Sequence, residues 1–142
     1  MKILFLDVDG VLNCRRTPQI ITSIYPLDPY MVLLVDRIIR ATDCKVVLSS
    51  AWRNHPQGVE IVNKSIPLLD ITEDFATIRG KEIEKWLTTD HFCCTKKEIK
   101  KYAILDDTDE FFGSQRDNFF KTSYEFGLTE EIANNVINHL NS

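Results

Sequence analysis

Short apolar runs alternate with stretches of helical periodicity along this chain. Residues 3–6, Ile-Leu-Phe-Leu, form a run with no polar alternation that ends at Asp7 and at the turn-forming pair Asp9-Gly10. Residues 45–48, Lys-Val-Val-Leu, form a second run ending in Ser49-Ser50, and residues 102–105, Tyr-Ala-Ile-Leu, a third ending in Asp106-Asp107. Apolar runs this short, closed by turn residues, predict strands of a sheet covered on both faces. Residues 119–122, Phe-Phe-Lys-Thr, predict a fourth strand.

Between the runs the period changes. Asp28-Pro29 has the form of an N-cap followed by proline at the first helical position. The helix it opens carries Met31, Leu34, Val35, Ile38 and Ile39 on one face. A shorter helix is predicted over 59–64, before the break at Pro67, and another over 79–87 with Ile83, Trp86 and Leu87 apolar. Thr129 caps a last helix, with Glu130 and Glu131 at its positive end and Ile132, Val136, Ile137 and Leu140 as its stripe. Residues 13–27 read as an irregular stretch. Strands alternating with helices imply an α/β layer fold with a mainly parallel central sheet.

Composition narrows the classes. With 142 residues, 44% hydrophobic and 27% charged, the chain reads as a single globular domain over 1–142. A net charge of −4 argues against a broad phosphate-backbone binder, which carries a basic stripe. It leaves room for a small phosphorylated ligand in a locally positive pocket. No apolar run approaches the roughly 18 residues of a membrane helix. The apolar N-terminus is interrupted by Asp7 and Asp9 with no cleavage site, so a cytoplasmic protein with no membrane partner is expected. Cys14, Cys44, Cys93 and Cys94 lack C-x-x-C spacing, and His91 near the last two matches no usual zinc pattern. They read as reduced thiols.

The chemistry lies at the ends of the runs. Ligands of open α/β sheets bind outside the carboxyl ends of the strands. If the first three strands are parallel neighbours, Asp7, Asp9, Asp106, Asp107 and the Ser49 hydroxyl converge there. Carboxylates so close repel and raise one another's pKa. A hard divalent cation relieves the conflict, and oxygen ligands suit magnesium.

The ordered set resembles the haloacid dehalogenase-like (HAD) superfamily of phosphohydrolases. The likeness begins at Phe5-Leu6-Asp7-Val8-Asp9-Gly10-Val11-Leu12, continues at Val46-Val47-Leu48-Ser49 and closes at Ile104-Leu105-Asp106-Asp107. The wider wording around Ser49-Ser50-Ala51-Trp52-Arg53, Arg79-Gly80-Lys81-Glu82-Ile83 and Gly127-Leu128-Thr129 is similar to a small capless branch, the phosphatase modules of RNA-repair (Swiss Army Knife) proteins. The resemblance implies a Rossmann-like three-layer sandwich without a large cap. It implies that Asp7 attacks phosphorus to form an aspartyl-phosphate, and that Asp9 serves as acid and then base. It implies magnesium held by Asp7, the Asp9 carbonyl, Asp106 and Asp107, with Ser49 bonded to a phosphoryl oxygen and Gly10 and Ser50 close to the substrate. The cation facing the phosphate is Lys81, the usual residue type, or Arg79, which can clamp a phosphate bidentately. Arg53 is a third candidate.

The short gaps between motifs leave the site open to a large phosphorylated substrate, such as a nucleotide or a nucleic-acid end. A phosphate-responsive regulatory module without turnover is the competing reading. The second acid, Asp9, favours an enzyme, since only turnover needs it. Trp52 and Trp86 read as packing residues.

Overall fold

The computed structural model describes residues 1–18 and 24–142; the part of the irregular stretch over 19–23 lies outside the described residues. Five strands form one parallel sheet: β1 (Lys2–Leu6), β2 (Lys45–Leu48), β3 (Leu68–Ile71), β4 (Lys101–Asp106) and β5 (Phe119–Lys121). Their order across the sheet is β3-β2-β1-β4-β5. The chain therefore leaves β1 toward β2 on one side and returns to β4 on the other, which makes a switch point beside β1.

Helices cover both faces. α1 (Pro29–Thr42), α2 (Pro56–Ser65) and α4 (Glu130–Leu140) pack on the face that buries Leu4, Leu6, Val46, Leu48, Ala103 and Leu105. α3 (Arg79–Thr88) covers Ile3, Phe5, Val47 and Ile104 on the other face, through Ile83 and Trp86. Successive residues of each strand point to opposite faces, so a run such as Ile3-Leu4-Phe5-Leu6 supplies both cores. The fold is the expected Rossmann-like three-layer α/β sandwich, with no separate cap among the described residues.

Local chemistry explains the element ends. The Asp28 side chain accepts from Tyr30 N at 3.0 Å, with Pro29 in the first turn of α1. Asp43 ends that helix in the left-handed region, φ 58°, with its N–H on Ile39 O at 2.8 Å. Thr129 Oγ1 accepts from Ile132 N and opens α4.

One strand escaped the sequence pattern. β3 occupies residues that follow the break at Pro67, and Asp70 interrupts its apolar run. It is an edge strand, half-buried along its whole length, so the signal of a doubly covered strand is weak there. A register irregularity at Val46/Val47 accompanies its pairing.

Ile38 is fully buried between α1 and the sheet, whereas Leu33 on the same helix is exposed. Ile38→Ala is expected to lower stability by about 2–5 kcal/mol. Leu33→Ala should stay within about 0.5 kcal/mol. Urea midpoints of the two variants measure the contrast.

Candidate active site at the carboxyl edge of the sheet

Register builds the site. Leu6 lies level with Leu48 on one side and Leu105 on the other. The next residues, Asp7, Ser49 and Asp106, therefore emerge side by side. The ladder carries on past the strands: Asp7 N donates to Leu105 O at 3.0 Å and Ser49 N to Leu6 O at 2.8 Å.

Asp7, Asp106 and Asp107 bring carboxylate oxygens within 4.8 Å of one another. Among the described residues they are the one cluster with three such ligand atoms, and His91, Cys93 and Cys94 gather no comparable group. Asp7 is 6% exposed. Burial, followed by the Asp106 charge, pushes its carboxyl up to about 8, against the pull of Arg79. Asp107 is raised by the same two causes. Asp106 turns one oxygen to the backbone and hydroxyl of Thr108, each at 2.9 Å, and the other to Arg79 Nη1 at 3.1 Å.

The cation beside the carboxylates is Arg79. Its Nη1 also lies 3.4 Å from Asp7 Oδ1 and donates to the Ser49 carbonyl. Lys81 lies on the exposed side of α3. Arg79 is the first residue of the helix and Lys81 the third, so about 200° of helical turn separates them and only one can face the carboxylates. Of the two candidates, Arg79 lies beside the acids and Lys81 points away from them. Arg53 is likewise drawn elsewhere. It donates to both Glu82 oxygens at 2.8 and 2.9 Å and to Thr72 Oγ1 at 2.9 Å. Arg53 and Glu82 are 7% and 1% exposed, and Glu82 also sits 3.9 Å from Arg79 Nε.

The small residues divide by role. Ser49 Oγ is buried without a hydrogen-bond partner. Ser50 Oγ caps the short turn Ala51–Asn54 by accepting from Trp52 N at 3.1 Å, a structural use. Gly10 turns the chain at φ 80°, and a Cβ there would stand 2.3 Å from Asp107 Oδ2. Both facts require glycine. Its N–H is donated to Asn13 Oδ1 at 3.1 Å and its carbonyl accepts from Thr122 Oγ1 at 2.6 Å, so the residue's backbone is already committed within the protein.

Asp9 is exposed but held. Trp52 Nε1 donates to its Oδ2 at 3.1 Å and Asn13 Nδ2 to its Oδ1 at 3.0 Å. Sequence reasoning missed Trp52, Asn13 and Glu82. An indole is mostly apolar body, and its single N–H leaves no pattern in sequence; the partner lies 43 residues away.

These residues fit a hard divalent cation. The donors are all oxygen, they are crowded, two of the three are buried, and the Asp7 carboxyl is pushed toward neutrality by its burial first and by the Asp106 charge second. The orphaned Ser49 hydroxyl beside them suits an oxyanion ligand.

The sheet order, helices on both faces and the acid cluster at the carboxyl edge define a Rossmann-like domain of the HAD hydrolase superfamily type. Residues 3–133 match the family described as the HAD domain in Swiss Army Knife RNA repair proteins, and the chain belongs to that family. Comparison with curated proteins and with solved structures gives no match. No helix among the described residues is long and apolar enough to cross a membrane.

Two outcomes follow. Arg53→Met leaves the Glu82 carboxylate buried with only a distant cation, and stability should fall by about 3–5 kcal/mol in urea titration. In metal-free protein, Asp7 holds its proton up to about pH 8 when folded and releases it near 3.8 when unfolded. The folded state thus binds more protons between those values, and stability should fall as pH rises from about 4 to about 8. Asp7→Asn should flatten that slope in melting temperatures measured with a chelator present.

Proposed function

We propose that the protein is a magnesium-dependent phosphomonoesterase working through an aspartyl-phosphate on Asp7. The observation that carries this reading is the buried Asp7 carboxyl set among Asp106, Asp107 and Arg79, with the unpartnered Ser49 hydroxyl at the next strand end.

Asp7 attacks phosphorus, so that an Asp7 oxygen–phosphorus bond forms as the bond to the leaving oxygen breaks. Asp9 gives its proton to that oxygen, then takes one from the water that attacks the intermediate and frees Asp7. Arg79 faces both Asp7 and Asp106 and is placed to meet the equatorial oxygens, where charge must be stabilised. The Ser49 hydroxyl donates to one of them. Magnesium, with Asp7, Asp106, Asp107 and the Asp9 carbonyl as its ligands, would favour the ionised Asp7 and screen its repulsion from the phosphate.

The family's description names RNA repair proteins, and the absence of a cap among the described residues suits a phosphate on a large substrate. Nucleotides and nucleic-acid ends are therefore the proposed substrate class. The four free thiols suit a reducing, cytoplasmic setting, which is part of this proposal.

Hydrolysis of p-nitrophenyl phosphate tests the reading. Turnover should require magnesium. Asp7→Asn should lower kcat by about 1000-fold or more. Asp9→Asn should lower kcat by about 100-fold or more through slow release of the phosphoenzyme. Magnesium binding without turnover on this ester or on nucleotide phosphates would instead identify a regulatory module.

A further inference from the structure

We infer that Trp52 and Asn13 are positioning residues that fix the Asp9 carboxyl group in the orientation that delivers its proton to the leaving oxygen. The inference rests on the phosphohydrolase reading above.

Asp9 is exposed just before the turn at Gly10, and an exposed carboxyl group ordinarily samples several rotamers. Here each oxygen has its own donor, Trp52 Nε1 at 3.1 Å and Asn13 Nδ2 at 3.0 Å. Two contacts from different directions define the plane of the group as well as its place. Each oxygen keeps a second lone pair, so the transferable proton can sit on either one and point away from both N–H groups.

Both donors are themselves immobile. Asn13 is 4% exposed, and both ends of its amide are engaged. Its oxygen accepts from Gly10 N at 3.1 Å and its nitrogen also donates to Pro26 O at 3.0 Å. Trp52 is 6% exposed. Its ring meets Tyr25 edge-on at 5.2 Å between centroids. Gly58 of α2 leaves room for both rings: a Cβ there would lie 3.2 Å from the indole Cε3 and 3.0 Å from Tyr25 Cε1. A buried indole N–H needs an acceptor. This one reaches out of the core to an exposed carboxylate.

The step it serves balances simply. As the Asp7 oxygen–phosphorus bond forms and the ester bond breaks, the Asp9 proton passes to the departing alkoxide and Asp9 is left as carboxylate. A poor leaving group depends on that transfer, and a good one does not. Small misplacement of a proton donor is costly for the same reason.

The test compares kcat/KM, which covers the steps through phosphoenzyme formation, for benzyl phosphate and p-nitrophenyl phosphate. Trp52→Phe keeps most of the ring and removes the N–H. It should lower kcat/KM for benzyl phosphate about tenfold or more while lowering that for p-nitrophenyl phosphate less than about threefold. Trp52→His keeps a ring N–H at the matching position and should recover part of the benzyl ester activity. Asn13→Ser should shift the ratio in the same direction as Trp52→Phe. Loss of folded protein lowers both substrates alike and leaves the ratio unchanged, so equal losses in every variant, or none, would overturn the inference. Failure of the phosphohydrolase reading looks different: the wild type would turn over neither ester, or Asp9→Asn would leave the ratio at its wild-type value.

Discussion

Three carboxylates crowded into a buried corner are the condition around which this molecule is arranged. Asp7, Asp106 and Asp107 cannot all be ionised there without help. The help comes as a chain of alternating charge. Asp106 and Asp7 face Arg79, Arg79 leans toward Glu82, and Glu82 is gripped by Arg53, which also reaches Asp74 at 3.4 Å. Each member is held by a partner of opposite sign, so the arginine that meets the acids is oriented from behind as well as from in front.

The sheet makes such crowding possible. In a parallel sheet neighbouring strands end at the same level, so residues that follow paired positions must share one edge. Leu6, Leu48 and Leu105 are in register, and Asp7, Ser49 and Asp106 inherit that alignment. The turn at Gly10 then presses against Asp107, a contact that no other residue type could make. Thr122, just past β5, ties the Gly10 carbonyl down from the far side.

A different solution serves the outer acid. Asp9 is exposed and outside the charged chain, and neutral donors rather than arginines hold it. A charged partner would compete with proton transfer; an indole and an amide fix direction without cancelling the carboxylate's charge. The inner and outer acids thus differ in the way their surroundings restrain them, which suits a nucleophile on one hand and a proton carrier on the other.

Much of this was legible in residue order. The apolar runs at 3–6, 45–48 and 102–105 announce strands because a doubly covered strand has no polar face, and the acids and serine after each run mark the edge where the polar groups gather. β3 was not legible, because an edge strand half-buried and interrupted by Asp70 lacks that signature. Nor could sequence choose which of Arg79 and Lys81, two residues apart on one helix, lies beside the acids; in the fold it is Arg79. Arg53, a third candidate for the phosphate-facing cation, is bound to Glu82, a residue 29 positions away that carries no motif of its own. Trp52 read as packing, and packs, yet its one polar atom reaches Asp9. What the sequence determined by itself was the alternation of strands and helices and the chemistry at strand ends, since both are local. What only the tertiary structure decided was which cation, which amide and which indole meet those acids, since those pairings join groups far apart in the chain.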